Sequence, residues 1–185
     1  MTPSFPLFAR FILTIGLITV LSWLFVNHGL SYRISGYRPC PRTLNKHLVY
    51  VLKSRFQHEF GNHATTADLR EFALNYTASS LHFTLKSNSL RDADKIIAGR
   101  GAHCAMYSVV LSEVYNELAR EMHWNPNCRP AIGRVYLYGV NLHQFARSSF
   151  FASHDFCVMP DEYGAQAVDA LAYDCIGVPS VRLRP

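Results

Sequence analysis

The chain has 185 residues and a net charge of +5, and 49% of its residues are hydrophobic. Once the first 30 residues are set apart, about 155 remain, which is enough for one domain with a single core and too few for two. The positive charge does not indicate a nucleic-acid partner, because the arginines are scattered and no lysine-arginine block or known binding motif occurs.

The N-terminal stretch 11–26 contains no charged residue and is apolar on every side. As a helix it rises about 24 Å, slightly less than the ~30 Å hydrocarbon core of a bilayer, but a helix over 7–30 would span that core if Arg10 and His28 reach toward the headgroups. No Ala-x-Ala cleavage pattern follows. We therefore expect residues 1–30 to form an uncleaved membrane anchor that contacts lipid, with a removed signal sequence as the alternative.

Charge and cysteine content point to opposite sides of the membrane. Basic residues between positions 33 and 46 outnumber those before the apolar stretch, and the positive-inside rule would leave the domain in the cytoplasm. Two disulfides among the four cysteines other than Cys104, with Cys157–Cys175 as the first choice, would favour the outside; four buried thiols are the alternative. We expect a single-pass protein whose domain lies outside the cytoplasm. The other two cysteines are Cys40 and Cys128.

Beyond the anchor, two prolines stiffen the stretch 31–43, which we expect to be a linker to a folded domain over 44–185. Apolar residues at helical spacing predict a helix over 44–56. Thr65 or Thr66 begins a second helix, and Asp68 completes a capping box if Thr65 is the N-cap. A short third helix over 92–98 is predicted to lead into a loop with two glycines.

The loop ends at Cys104, and a long helix is predicted to follow it. Apolar residues recur every three or four positions, no glycine or proline interrupts 105–124, and Pro126 ends the run. Three segments rich in β-branched or aromatic residues then predict strands over 134–140, 151–159 and 166–171. A thiol at a helix N-terminus ionises easily, because the helix dipole and the unpaired N–H groups stabilise the thiolate.

The chain order Cys104, His154, Asp169 indicates a thiol nucleophile with two assisting residues. Sequential strands are usually neighbours, so we expect His154 and Asp169 to meet near the start of the Cys104 helix. The imidazole takes the proton of the thiol, and the carboxylate fixes the ring tautomer and stabilises the imidazolium. The sequence thus predicts an enzyme that transfers an acyl group through a thioester on Cys104.

Three short motifs resemble those of the transglutaminase-like superfamily of papain-type cysteine enzymes. Residues 101–104 match a Gly-x-x-Cys loop, His154 with Phe156 matches a His-aromatic strand, and Val168 with Asp169 matches a Val-Asp-Pro-like strand. The resemblance covers less than half of the chain. It implies an α+β fold with a transglutaminase-like or papain-like core, in which the helix that carries the cysteine packs on an antiparallel sheet after the N-terminal transmembrane helix.

By this resemblance Cys104 is the nucleophile, His154 the general base and Asp169 the residue that orients the base. The chain departs from the family pattern in two places. An alanine follows Asp169 where many members have proline, and Asp155 follows His154 where an aromatic or small residue is common. Asp174 is therefore the reserve candidate for the acid.

Other candidates for the site are weaker. His103 is a rival partner of the thiol, although adjacent residues of a helix do not face each other. The backbone N–H of Cys104 is expected to donate to an oxyanion, and Asn88 is a candidate second donor. We expect no cofactor and no metal, because the chain has no Cys-x-x-Cys pair and its cysteines and histidines lack compact ligand spacing.

We therefore expect a membrane-anchored, thiol-dependent enzyme that acts on amide bonds, of peptide or glutamine type, in a protein or peptide substrate. A cysteine peptidase or amidase is the more general expectation than an acyltransferase, because water is the default acceptor. Two other classes stay open: a catalytically inactive transglutaminase-like scaffold module tethered to the membrane, and a disulfide-stapled structural domain in which Cys104 is bridged. The reactivity of Cys104 distinguishes the three.

Overall fold

The computed structural model describes residues 7–40, 44–85, 92–145, 152–161 and 164–185. Its helices are α1 Leu7–Gly29, α2 Lys46–Phe60, α3 Thr66–Ser80, α4 Ala93–Gly99, α5 Cys104–Glu121 and α6 Ala170–Ile176, with two short 3-10 helices at Gly61–His63 and Leu142–Phe145. Its strands are β1 Leu30–Tyr37, β2 His82–Phe83, β3 Gly101–Ala102, β4 Arg129–Leu137, β5 Val140–Asn141, β6 His154–Asp161, β7 Gly164–Val168 and β8 Ser180–Arg184.

Five strands form a sheet that closes on itself in the order β1-β8-β7-β6-β4, because β1 pairs with both β8 and β4. The pairing of β1 with β8 is parallel and the other four pairings are antiparallel. The prediction of a transglutaminase-like or papain-like core, with a helix packed on an antiparallel sheet, is therefore wrong. The physical reason is that 30–37 and 180–184, for which no strand was predicted, supply the two strands that close the ring.

The predicted N-terminal transmembrane helix is also wrong. Within the part of the chain that the structure describes, no helix combines the length and the hydropathy needed to cross a bilayer. The predicted location as a single-pass, membrane-anchored protein is corrected with it.

Two hydrophobic clusters organise the fold. One lies inside the ring of strands and includes Tyr32, Phe156 and Val181. The other surrounds α5, most of whose residues are buried, and joins α2, α3 and α4 to the outer face of β6 and β7. Side chains alternate along a strand, so Phe156 faces the inside of the ring while Cys157 faces α5. The helix that begins at Cys104 is therefore held between the ring and the other helices.

The four helices predicted between residues 44 and 124 are confirmed, whereas the strand boundaries differ. Thr65 is the N-cap of α3, and Asp68 completes the capping box with it. The predicted strand 166–171 ends at Val168, and α6 begins at Ala170. The start of the predicted strand 151–159 lies outside the described residues. The stretch 31–43, predicted as a linker, supplies β1 as far as Tyr37.

Candidate active site

Cys104 is the first residue of α5, and a tight turn after α4 places it there. Arg100, which ends α4, has a left-handed backbone conformation with φ 58°, and the two residues of β3 follow. His103 is extended, and its carbonyl accepts the amides of Met106 and Tyr107 at 2.9 and 3.1 Å. The thiol therefore lies at the positive end of a long helix, where the first backbone N–H groups have no helical partner.

His154 is the first residue of β6 and lies opposite Gly133 of β4. A Cβ atom on Gly133 would lie 2.2 Å from the carbonyl oxygen of Arg33, so only glycine allows β1 to approach this closely. The Tyr32 ring meets the imidazole edge-on with centroids 5.6 Å apart, and the Phe156 ring stacks on it at 6.4 Å. Two aromatic rings thus restrict the orientation of the imidazole.

Asp169 caps α6 and binds His154 at the same time. Its Oδ1 accepts the backbone amides of Leu171 and Ala172, each at 3.0 Å. Its Oδ2 accepts a hydrogen bond from the Tyr32 hydroxyl at 2.6 Å and lies 2.5 Å from Nε2 of His154. The Asp169 side chain is 1% exposed, so these bonds replace the water that an ionised carboxylate would otherwise need.

The structure brings together the three residues predicted to act. His154 binds Asp169 at 2.5 Å, and His154 and Cys104 lie close enough to shift each other's pKa. Since Nε2 of the imidazole faces Asp169, Nδ1 is the nitrogen that remains for the thiol. The carboxylate therefore fixes the tautomer and the ring orientation, as the sequence argument requires.

The charges of the site favour a thiolate beside an imidazolium. Burial raises the pKa of the Cys104 thiol, but hydrogen bonds with His103 and His154 and the charge of His154 lower it to about 7. Burial lowers the pKa of His154, but the charge and hydrogen bond of Asp169, with a contribution from the thiol, raise it to about 10. Between about pH 7 and pH 10 the pair is therefore ionised, and its two titrations belong to the pair as a whole.

The acid itself is held in its ionised form. Burial raises the pKa of Asp169, but the charge and hydrogen bond of His154 and the hydroxyl of Tyr32 outweigh burial and lower it. Burial and the charge of Asp169 raise the pKa of Tyr32 well above its ordinary value, so its hydroxyl stays a donor. Tyr32 is thus a second residue that holds the carboxylate in place.

A second charged pair contacts the thiol. Oδ2 of Asp155 lies 3.8 Å from Sγ of Cys104. Arg38 donates from Nε to Oδ1 of this carboxylate and from Nη2 to Oδ2 at 3.2 Å. The Asp155 side chain is 6% exposed, whereas that of Arg38 is 38% exposed. The pair thus bridges from the buried sulfur to the protein surface.

Sequence reasoning missed Tyr32 and Arg38. Both belong to the stretch predicted as a linker, where Tyr32 lies on β1 and Arg38 follows its last residue. The alternation of Leu30, Tyr32 and Ile34 is a signal for a half-buried strand that was available in the sequence. Asp155 was identified only as a departure from the family pattern, and its contact with the thiol was not predicted.

The other candidate residues from the sequence were His103, Asp174 and Asn88. His103 is close enough to the thiol to lower its pKa, although its position next to Cys104 argued against an interaction. Asp174 accepts from the Tyr107 hydroxyl at 2.7 Å, whereas His154 pairs with Asp169. Asn88 lies outside the described residues.

The five cysteines are free thiols, so the expected Cys157–Cys175 disulfide is not formed. Cys157 is buried and its thiol donates to the carbonyl of Ser108, whereas Cys175 is exposed. Among the residues that the structure describes, no group of three or more His, Cys, Asp or Glu side chains is arranged to hold a metal ion. No protein-family model matches the chain, and no curated protein or solved structure matches it significantly.

Proposed function

We propose that the protein is a thiol-dependent acyl-transfer enzyme, and that its general reaction is hydrolysis of an amide bond in a protein or peptide. The observation that carries the proposal is the arrangement at the N-terminus of α5, where the Cys104 thiol and the His154 imidazole shift each other's pKa and His154 binds Asp169 at 2.5 Å. A thiolate paired with an imidazolium is the activated form of a cysteine nucleophile. The resemblance to the transglutaminase-like superfamily implies roles for the same three residues. This resemblance rests only on the three short sequence motifs.

In this mechanism the Cys104 thiolate attacks the carbonyl carbon and forms a C–S bond. The carbonyl oxygen becomes an oxyanion beside the free N–H groups at the start of α5, which stabilise it. As the C–N bond breaks, the His154 imidazolium gives its Nδ1 proton to the leaving amine. Neutral His154 then takes a proton from the water that attacks the thioester. As the C–O bond forms, the C–S bond breaks, so the acid is released and the Cys104 thiolate is restored beside the His154 imidazolium.

An activated ester tests the proposal without knowledge of the natural substrate. With p-nitrophenyl acetate, the wild-type protein is expected to release a burst of p-nitrophenolate and to carry a hydroxylamine-labile acetyl group on Cys104, as located by peptide mass spectrometry. Cys104→Ala should show neither signal and keep the circular dichroism spectrum of the wild type. Cys175→Ala, which removes an exposed thiol, is the matched control and should behave as the wild type.

Acetylation of Cys175 with Cys104 left unmodified would contradict the proposal. It would favour the scaffold alternative, in which the domain binds a partner without reacting.

A further inference from the structure

Two carboxylates lie near Cys104, and the proposed mechanism uses only one of them. Asp169 acts on the sulfur through His154, whereas Oδ2 of Asp155 lies 3.8 Å from Sγ directly. A negative charge at this distance opposes the formation of a thiolate. Without a compensating positive charge, the Asp155 carboxylate would hinder the ionisation of the Cys104 thiol, on which the proposed reaction depends.

Arg38 is placed to cancel that charge. Its Nε and Nη2 donate to the two oxygens of Asp155, an arrangement that fixes both groups relative to each other. The backbone N–H of Arg38 donates to the carbonyl of Pro130 at 2.9 Å, which attaches this residue to β4. The hydrogen bond with Asp155 is the main cause that raises the pKa of Arg38, and the charges of Asp155 and of the thiolate add to it, so the guanidinium also interacts with the sulfur.

The other titratable groups around the sulfur do not replace Arg38. His103 precedes α5 and lowers the pKa of the thiol, and His154 lies on β6 with its charge balanced by Asp169. Tyr32 stays protonated behind His154. Among these groups, as the structure describes them, Arg38 is the cation that binds the Asp155 carboxylate.

We propose that Arg38 is a positioning residue that neutralises Asp155 beside Cys104, so that the sulfur loses its proton next to a neutral ion pair. Asp155 in turn accepts the S–H of Cys104 while the thiol is protonated, and it keeps Arg38 in place. The inference rests on the proposed role of Cys104 as the nucleophile, and it adds a residue that acts on the thiol from outside the Cys104, His154, Asp169 chain.

Four proteins test this role: the wild type, Arg38→Gln, Asp155→Asn and the double variant. The rate of iodoacetamide alkylation at Cys104 is followed by mass spectrometry from pH 5 to pH 10. Arg38→Gln leaves Asp155 uncompensated and is expected to move the midpoint of the profile upward by about one pH unit. Asp155→Asn leaves the guanidinium uncompensated and should move the midpoint downward by a similar amount, and the double variant should return close to the wild type.

Two controls separate charge from structure. Arg38→Lys keeps the charge without the two-pronged contact and should leave the midpoint within about half a pH unit of the wild type. Arg129→Gln removes an arginine that lies over the Tyr37 ring, and it should not move the midpoint at all. If Asp155→Asn fails to fold by thermal melting, the comparison of Arg38→Gln with Arg38→Lys still decides the question.

An unchanged midpoint in Arg38→Gln, or single variants that both shift upward without recovery in the double variant, would overturn the inference. In that case, low-pH reactivity of wild-type Cys104 that is lost in His154→Ala would still support the proposed function. Wild-type Cys104 that reacts only above pH 9 would overturn both.

Discussion

Replacing Asp169 with asparagine tests whether this carboxylate, through His154, lowers the pKa of the Cys104 thiol. The new amide side chain would keep an oxygen for the amides of Leu171 and Ala172, so the cap of α6 survives. Its NH₂ group, however, would face the Nε2 proton of His154 and the Tyr32 hydroxyl, which are both donors. The imidazolium would lose the partner that does most to stabilise it.

The size of the effect follows from the pKa of the Cys104 thiol in the folded protein and its ordinary value. With a thiol pKa of about 7, about a tenth of Cys104 is thiolate at pH 6. A return toward the ordinary value of 9.0 would lower that fraction about 100-fold. A more basic thiolate is intrinsically about 10-fold more nucleophilic over two units, so the net loss is about 10-fold at pH 6. Above about pH 9 the variant should match or exceed the wild type.

The assay is the second-order rate constant for iodoacetamide alkylation of Cys104, measured from pH 5 to pH 10. Asp174→Asn is the matched control: it removes a carboxylate at the other end of α6, one that accepts from Tyr107, and should leave the profile unchanged. An Asp169→Asn profile that coincides with the wild type would refute the role of Asp169. A slowdown equal at every pH would point to damage of the fold instead.

Three further predictions concern stability. Gly133→Ala should destabilise the protein by about 1–3 kcal/mol in urea unfolding, because its Cβ would meet the Arg33 carbonyl oxygen at 2.2 Å. Gly16→Ala, with open space around it, should not be destabilising. Arg134→Thr should stabilise the protein by about 0.2–1 kcal/mol at low salt, because Arg134 lies opposite Arg33 in the β1–β4 register; the gain should vanish near 1 M salt, and its persistence there would contradict the electrostatic explanation. The pKa of Asp169 is lowered in the folded protein, so its ionised form adds stability above about pH 4. That stability is lost as the pH falls through the pKa of the folded state. Asp169→Asn should therefore lose less stability than the wild type between pH 5 and pH 2.

Features with a local cause could be predicted from the sequence. The spacing of apolar residues predicted the helix that follows Cys104, and the Thr65 and Asp68 side chains predicted the start of α3. The meeting of His154 with Asp169 followed from the neighbourhood of sequential strands, here β6 and β7. Each of these inferences needs only residues that are close in the chain.

The rest depends on distant partners. Arg38 and Asp155 are 117 residues apart, and no local pattern announces their ion pair. The ring of strands closes through the parallel pairing of β1 with β8. Each of these two strands has only a few alternating apolar and polar residues, which is a weak sequence signal for a strand. Val168 and Leu171 suggested one continuous strand, whereas Asp169 between them bonds the amides of Leu171 and Ala172 and turns the chain into α6.

The same distances determine when the chemistry of Cys104 appears during folding. Tyr32 and Asp169 are separated by 137 residues, and Ser31 and Arg184, which join β1 to β8, by 153. Contacts of such high sequence separation form late, because the entropy of closing the intervening loop must be overcome first. Until they form, Cys104 is an ordinary thiol with a pKa near 9.0. The lowering of the Cys104 pKa to about 7 therefore requires the folded chain, so we expect the thiol to ionise near neutral pH only once the ring of strands is complete.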